Sequence, residues 1–247
     1  MNELTARAPA SGAWEIETTA TDDVIDELIR EFTPWRVLIR FNGHLSTDTY
    51  GTREPFNRTP LLKMKAIEAA LPEEAFRGTA LDIGFNCGYN AIHLASRGMK
   101  VVGIENNPNN LRVALRLAEL ARGDVSLSMG DAEDYLAPDS LDLALHLGTL
   151  YHLKNPVRSL ENIGRSVRSG GWIALETVAY VGGTDGNECL WVYGFAGDMS
   201  NTWAIGKSAL ESMLRISGFC DPKLVIESYP AAYNGKMSRV LYVAQKS

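Results

Sequence analysis

The chain has 247 residues, of which 45% are hydrophobic and 22% are charged, close to the average of soluble globular domains. Its 24 Lys and Arg residues against 30 Asp and Glu residues give a formal net charge of -6, which disfavours a protein that coats nucleic acid. This composition excludes collagen-like, coiled-coil and disordered chains, and the length indicates one large domain with additions.

The cysteines and the apolar runs indicate the cellular environment. Cys87, Cys189 and Cys220 are far apart and form no C-x-x-C pair, so neither a disulfide framework nor a cysteine zinc site is indicated, and we expect no metal. The first residues lack the apolar stretch of a signal peptide, and no run of about 18 apolar residues occurs. We therefore expect a cytoplasmic protein that has no membrane partner.

Residues 1–77 are predicted to form an N-terminal helical lid. Apolar side chains at helical spacing predict a helix over residues 22–32. A connection of about 25 residues, 34–59, follows, and loops of that length are usually functional or mobile. Thr59 as the N-cap and Pro60 at the first helical position predict the start of a second helix.

The region from residue 30 to residue 65 contains more basic than acidic side chains. The basic residues are Arg30, Arg36, Arg40, Arg53, Arg58, Lys63 and Lys65, and the acidic ones are Glu31, Asp48 and Glu54. This excess could meet a phosphate or a carboxylate of the substrate, although charge runs are usually solvated faces.

Residues 78–247 alternate between strand and helix patterns. The predicted strands cover residues 79–84, 99–105, 125–129, 141–147 and 172–177. Helical patterns between them predict a parallel sheet with helices on both faces.

The end of the chain departs from this alternation. Residues 180–203 form a Gly-rich, aromatic insertion. A capping-box pattern then opens a helix at Ser208, which Gly218 ends. Two strands over residues 223–228 and 239–244 follow, and they are predicted to pair in antiparallel fashion.

The segment 81–90 joins the first predicted strand to its helix and contains two glycines. Gly84 and Gly88 let the backbone turn tightly and approach a ligand closely. The pattern is not G-x-G-x-x-G, because the middle position is Asn86. Asp82 precedes the first glycine by two residues, and a carboxylate there suits a cationic amino group better than a pyrophosphate.

Acidic residues also end the second and third predicted strands. Glu105 lies about 20 residues after the glycine turn, where a carboxylate can accept hydrogen bonds from both hydroxyls of a ribose, or can simply be a solvated strand-end acid. Asp131 could accept the exocyclic amine of an adenine, cap the turn that follows, or do both. With Asn106 and Ala132 beside them, these residues predict a pocket for adenosine and a zwitterionic amino acid.

At this point residues 78–247 resemble the class I S-adenosylmethionine-dependent methyltransferases. The segments 147–153 (LGTLYHL), 175–177 (LET), 201–203 (NTW) and 239–244 (RVLYVA) are similar to those of the tRNA wobble-uridine carboxymethyltransferases. These enzymes turn 5-hydroxyuridine into 5-oxyacetyluridine with carboxy-S-adenosylmethionine.

The resemblance implies an α/β, Rossmann-like class I methyltransferase fold with a seven-stranded, mostly parallel sheet whose last strand is antiparallel. It implies S-adenosylmethionine as the cofactor. It further implies that Asp82, Gly84, Glu105 and Asp131 belong to the cofactor pocket. Leu147 and Tyr151 would line the methyl end, and Arg239 would lie near the reacting group.

Two positions depart from the pattern of the family. The usual middle glycine is Asn86 here, and Asn enters left-handed conformations more readily than most residues. The carboxymethyltransferases carry a lysine and tryptophans ahead of the sheet that hold the additional carboxylate, whereas residues 38–58 contain neither Lys nor Trp. We therefore expect the ordinary cofactor.

The segment that leaves the fourth predicted strand contains the candidate base. His152 is the first choice, because a neutral imidazole accepts protons near neutral pH; alternatively, it only bonds to nearby backbone. His146 is a second candidate, and it could equally be a hydrogen-bonded core histidine. Tyr151 lies between them in the sequence.

The aromatic insertion is predicted to lie above the acceptor, because ligands bind at the carboxyl ends of the strands in open α/β sheets. Its aromatic residues are Trp191, Tyr193, Phe195 and Trp203, and they could either stack against a flat substrate or form a small apolar cluster.

The leading hypothesis is a methyltransferase that acts on a hydroxyl of a small molecule. The alternative is a tRNA wobble-uridine modifying enzyme that acts on 5-hydroxyuridine, with tRNA as a less favoured partner. A third hypothesis is a non-catalytic module that binds the cofactor and has no base. The sequence also leaves a homo-oligomer open.

Overall fold

The described part of the chain, in a computed structural model, comprises residues 13–35, 37–50, 59–121, 123–191, 193–195, 198–228 and 235–247. Within these ranges, no helix has the length and the apolar character that crossing a membrane requires.

The N-terminal part builds a small sheet beside two helices. Its elements are β1 (Trp14–Ile16), α1 (Asp22–Glu31), β2 (Ile39–Phe41), β3 (Leu45–Ser46) and α2 (Thr59–Ala70). β1 pairs with β2 in parallel, and β2 pairs with β3 in antiparallel fashion. The expected loop over residues 34–59 therefore contains two strands, which are too short to show alternation in the sequence. Residues 51–58 lie outside the described part.

Five parallel strands with intervening helices form the centre of the main sheet. The elements are β4 (Thr79–Ile83), α3 (Tyr89–Ser96), β5 (Lys100–Glu105), α4 (Pro108–Leu120), β6 (Asp124–Met129), β7 (Leu141–Leu147), α5 (Pro156–Ser166) and β8 (Val167–Tyr180). β8 is longer than expected because it starts directly after α5. A break in the β7–β8 register between Leu141 and Leu143 accommodates the additional residues.

The remaining elements complete the sheet. They are β9 (Cys189–Trp191), β10 (Trp203–Ile205), α6 (Lys207–Ile216), β11 (Phe219–Ser228) and β12 (Met237–Lys246). The strand order is β11-β12-β8-β7-β4-β5-β6, and β12 runs antiparallel to both of its neighbours. The seven-stranded, mostly parallel sheet with an antiparallel last strand is thus confirmed. β9 and β10 form a separate two-stranded sheet within the predicted insertion.

Apolar side chains cover both faces of the main sheet. Leu143 and Leu145 of β7 belong to one core, which also contains Trp14 of β1 and Met64 of α2. Ala144 belongs to a second core with side chains of α5 and α6. Since successive residues of a strand point to opposite faces, the N-terminal elements pack on one face and α5 and α6 on the other.

Candidate active site

The carboxyl ends of β4 and β5 carry the glycine turn. Gly84 and Gly88 have positive φ angles of 66° and 80°, which favour glycine. A Cβ atom on Gly84 would lie 2.2 Å from Oγ1 of Thr149, so a side chain does not fit there. Thr149 Oγ1 in turn donates a hydrogen bond to the carbonyl of Ile83 (3.1 Å) and fixes the start of the turn.

Asn86 and Glu105 hold the loops after β4 and β5 together. Asn86 has a φ of 55°, which is the left-handed conformation that asparagine tolerates. Its backbone N–H donates to Oε2 of Glu105 (2.9 Å), and the N–H groups of Asn106 and Asn107 donate to Oε1 (3.0 Å each). These bonds use three of about four lone-pair positions of the carboxylate, which therefore keeps some capacity to accept from a ligand.

Asp82 is a buried acid with an unfilled hydrogen-bonding capacity. It is 1% exposed, and its Oδ2 has no partner among the described residues. Burial raises the pKa of Asp82 to about 7, the negative charge of Glu105 adds to the rise, and a backbone hydrogen bond from Ala91 opposes it. Oδ1 of Asn90 is a second buried acceptor without a described partner. Buried acceptors of this kind are normally satisfied, so a cationic donor group of a ligand fits the site.

The third strand-end acid is exposed. Oδ1 of Asp131 accepts from the backbone N–H of Glu133 (2.8 Å), which is the capping role left open by the sequence. Ala132 is buried, and its carbonyl accepts from Oγ of Ser159 (2.8 Å). The proposed contact of Asp131 with adenine is compatible with this arrangement and stays a prediction.

A cluster of charges lies where β7, β8 and β12 meet. Glu176 on β8 is 2% exposed and accepts from Nζ of Lys63 (2.7 Å). Nε of Arg239 also donates to Glu176, and its Nη2 donates to Oε2 of Glu176 (3.1 Å) and to the hydroxyl of Tyr151 (3.3 Å). The backbone N–H of Gly148 donates to the carbonyl of Glu176 (2.9 Å), which attaches the segment after β7 to this cluster.

Burial and mutual attraction shift the pKa of each group in this cluster. Burial alone would raise the pKa of Glu176, but the hydrogen bond and charge of Arg239 and the charge of Lys63 outweigh it and hold the pKa below its ordinary value. Burial lowers the pKa of Lys63 in spite of the attraction to Glu176. Burial works against the guanidinium of Arg239, yet its bonds to Glu176 raise the pKa further above the ordinary value. Two cations and one carboxylate leave one net positive charge.

Residues 38–58 contain no lysine, but a lysine from outside that stretch joins the cluster of Arg239. It is Lys63 of α2, which pairs with Glu176. α2 packs against β11 and β12, and this packing brings the side chain of Lys63 to Glu176 of β8, which pairs with Leu147 at the end of β7. The pairing joins residues that are 113 positions apart, so no local pattern shows it.

The two candidate bases lie in different surroundings. His146 on β7 is fully buried, and its Nε2 forms a hydrogen bond with Oγ of Ser159 (3.1 Å). Burial lowers the pKa of His146 to about 4. This histidine therefore stays neutral and has no exposed surface with which to contact an acceptor.

His152 is half-buried in the 3₁₀ turn Leu150–His152 that follows β7. Its Nδ1 lies 3.2 Å from the carbonyl oxygen of Ser200 and 3.0 Å from Oγ of Ser200. Its ring packs against Tyr151 at a centroid distance of 4.1 Å. Burial lowers the pKa of His152, with opposing contributions from Ser200 and Asp198.

The aromatic insertion divides into a buried part and an exposed part. Phe195 is buried and packs against Tyr151 at a centroid distance of 6.2 Å, and half-buried Trp203 packs on the same cluster. Trp191 and Tyr193 are 60% and 63% exposed and make no ring contact with a described aromatic residue. Leu147 is half-buried at the end of β7. A contact of these residues with an acceptor stays a prediction.

The basic residues between positions 30 and 65 do not form a free patch in the described part. Arg30 pairs with Asp26, Arg40 with Glu15, and Lys63 with Glu176. Arg36, Arg53 and Arg58 lie outside the described residues. Among the described residues, no group of three or more His, Cys, Asp or Glu side chains could hold a metal ion.

The chain is similar in sequence to known methyltransferases. Residues 81–175 match the family described as "Methyltransferase domain". A "tRNA U34 carboxymethyltransferase" of Shewanella baltica is 33% identical over 226 residues, which cover 87% of this chain and 63% of the relative. The enzyme of the same name from Aeromonas salmonicida is 27% identical over 210 residues, which cover 83% of this chain and 61% of the relative. The chain thus spans about three fifths of these relatives.

Solved structures share the fold. The N-terminal domain of EvdMO1 with S-adenosylhomocysteine bound superposes with a TM-score of 0.70 at 20% identity, covering 97% of this chain and 100% of that chain. Phosphoethanolamine N-methyltransferase 2 of Haemonchus contortus, in complex with S-adenosyl-L-methionine, superposes with a TM-score of 0.63 at 18% identity, covering 75% and 52%. At these identities the likeness concerns the fold alone.

Proposed function

We propose that this chain, which carries an S-adenosylmethionine-dependent methyltransferase domain of the class I fold, transfers a carboxymethyl group to the hydroxyl of 5-hydroxyuridine in tRNA. The observation that carries the proposal is the pair of cations, Lys63 and Arg239, around the buried Glu176. The names of the curated relatives support the same reaction.

The charge of the cluster favours the carboxylated form of the cofactor. A carboxylate beside the transferring carbon must be balanced when it leaves water, because an unpaired buried charge costs several kcal/mol. Lys63, Arg239 and Glu176 together have one net positive charge, which a single additional carboxylate would neutralise. The ordinary cofactor brings a positive sulfonium and no such carboxylate, so the same charge would repel it.

The pocket residues that would hold the rest of the cofactor are the three strand-end acids. Asp82 would bind its ammonium group, Glu105 its ribose hydroxyls, and Asp131 the adenine amine. The positive φ angles of Gly84 and Gly88 shape the turn between β4 and α3, on which the cofactor would lie. When bound, the cofactor supplies a carbon that is activated by its bond to a sulfonium.

We assign His152 as the general base. Burial lowers its pKa, so the imidazole is neutral at pH 7 and can accept the proton that the hydroxyl loses. Tyr151 packs on His152, and its hydroxyl accepts a hydrogen bond from Arg239. His152 and Tyr151 both lie in the turn after β7, where the reacting group is expected. A tRNA acceptor would place the enzyme in the cytoplasm.

A second candidate is methyl transfer to a small hydroxylated acceptor. Its supporting observations are the net charge of -6 and the pairing of Arg30 and Arg40 with acids, which reduces the positive charge that these two present to phosphates. Glu176 also neutralises one of the two cations without a ligand. This candidate uses the same pocket and the same base.

The test offers the purified protein each cofactor form separately, with tRNA that carries 5-hydroxyuridine at the wobble position and with free hydroxylated small molecules. Nucleosides are analysed by mass spectrometry, and S-adenosylhomocysteine is quantified in parallel. The proposal expects the 5-oxyacetyl nucleoside with the carboxylated form. A methylated small molecule formed with the ordinary cofactor supports the second candidate. If no acceptor gives S-adenosylhomocysteine, the protein is a non-catalytic module that binds the cofactor.

A further inference from the structure

We propose that Ser200 and Asp198 are positioning residues that hold His152 in the Nδ1–H tautomer and leave its Nε2 as the proton acceptor. The inference deepens the proposed function, because it rests on His152 as the base. It assigns a role to the aromatic insertion that differs from the stacking of a substrate.

The three side chains form a linear chain of hydrogen bonds. Oγ of Ser200 donates to Oδ1 of Asp198 (2.6 Å), and Nδ1 of His152 lies 3.0 Å from the same Oγ. The carbonyl oxygen of Ser200 is a second neighbour of Nδ1 at 3.2 Å. The backbone N–H of Ser200 also donates to Oδ1 of Asp198 (2.9 Å), which fixes the acid.

The nature of these partners decides which ring nitrogen carries the proton. A carbonyl oxygen only accepts, so the nitrogen that faces it must donate. The hydroxyl proton of Ser200 points to Asp198, so Oγ also accepts from Nδ1. With the proton on Nε2 instead, the Nδ1 lone pair would face the carbonyl oxygen, and Ser200 could not donate to both His152 and Asp198. One tautomer therefore satisfies every contact of the chain.

The other ring nitrogen remains available. Nε2 of His152 makes no hydrogen bond to any described residue, and the ring is half-buried rather than enclosed. A base held by a hydroxyl or carboxylate on one nitrogen and open on the other has the arrangement found in catalytic triads. The proton taken from the acceptor hydroxyl would bind at Nε2, and the positive charge that forms would be stabilised by Asp198 through Ser200.

The charges around the ring agree with a neutral base. Burial is the main influence and lowers the pKa of His152, and the positive charge of Arg239 acts in the same direction. The negative charges of Asp198 and Glu105 raise it, and the phenol of Tyr151 packs on the ring face. Removal of the charge of Asp198 should therefore lower the pKa of His152 further.

The insertion is attached to the turn that carries the base. The backbone N–H and Oγ1 of Thr202 both donate to the carbonyl of Tyr151 (3.0 Å each). Nδ2 of Asn201 donates to the carbonyl of Phe195 (2.8 Å), and Phe195 packs on Tyr151. These contacts keep Ser200 beside His152, so the orientation of the base depends on residues about 50 positions away.

Nitrogen-15 NMR of the imidazole of His152 tests the inference in the full chain without cofactor. The wild-type protein should show the Nδ1–H tautomer, whereas free histidine prefers Nε2–H. Ser200→Ala should increase the Nε2–H fraction about threefold, because Nδ1 loses one of its two acceptors, the Oγ of Ser200, and keeps only the carbonyl oxygen. Ser212→Ala, which removes an exposed hydroxyl on α6, is the matched control and should leave the tautomer unchanged.

Turnover assays separate the inference from the proposed function. Ser200→Ala should lower kcat about 10-fold or more at unchanged KM for the cofactor, and Asp198→Asn should move the acidic limb of the pH–rate profile to lower pH. An Nε2–H tautomer in the wild-type protein overturns the inference whatever the activity. An Nδ1–H tautomer together with full turnover of His152→Ala supports the hydrogen-bond chain and refutes His152 as the base.

Discussion

Replacement of Lys63 by methionine isolates the role of the cation pair in the choice of cofactor. Methionine keeps an unbranched side chain of similar length on α2 but removes the charge. Glu176 retains both hydrogen bonds from Arg239, so it does not become an unpaired buried acid. The net charge of the cluster falls from one positive charge to none.

The structure sets the size and the direction of the effect. Lys63 is 13% exposed and Glu176 is 2% exposed, so solvent screens this pair only weakly. A hydrogen bond that involves a charged group contributes about 1.5–3 kcal/mol, which corresponds to about 10- to 150-fold in affinity. The Kd for the carboxylated cofactor should rise by that factor, whereas the Kd for S-adenosylmethionine should stay the same or fall.

Calorimetric titration with both cofactor forms measures the ratio of the two affinities. Lys65→Met is the matched control, since Lys65 lies two residues further along α2 and is exposed. Thermal unfolding of both variants checks that the fold is retained. An equal change for both cofactors, or no change for either, would refute the reasoning that Lys63 selects the carboxylated form.

Four further predictions concern the cofactor pocket. Glu105→Gln should weaken S-adenosylhomocysteine binding by about 1.5–3 kcal/mol, and unchanged affinity in calorimetry would remove Glu105 from the ribose site. The affinity for the cofactor should rise with pH up to about 7, because the ammonium group of the cofactor needs the ionised form of Asp82. Calorimetric titrations at several pH values check this, and the affinity of Asp82→Asn should not change over the same range. The folded-state pKa of Asp82 lies above the unfolded value, so the ionised carboxylate destabilises the fold as pH rises, and Asp82→Asn should raise the Tm at about pH 8. Gly84→Ala should lower the Tm more than Gly98→Ala, because both have positive φ angles but only Gly84 would place a Cβ against Thr149; equal losses would contradict the steric argument.

The architecture, and the sheet edge expected to carry the site, could be predicted from the sequence alone. Alternating strand and helix patterns predicted the parallel sheet, and the last two strands predicted its antiparallel edge. The left-handed conformation of Asn86 could also be predicted, because asparagine tolerates this conformation and Asn86 lies in a glycine turn. These features depend on neighbouring residues, so a single sequence contains them.

The side chains that meet at the candidate site could not be predicted, because their contacts depend on how distant elements pack. Lys63 reaches Glu176 because α2 packs against β11 and β12, and Ser200 reaches His152 because the insertion folds back on the turn after β7. His146 is enclosed beside α5, where its Nε2 bonds to Ser159, whereas His152, six residues later in the turn after β7, is only half-buried. Charge pairing and burial depend on distance in space, which periodicity and motif spacing do not specify.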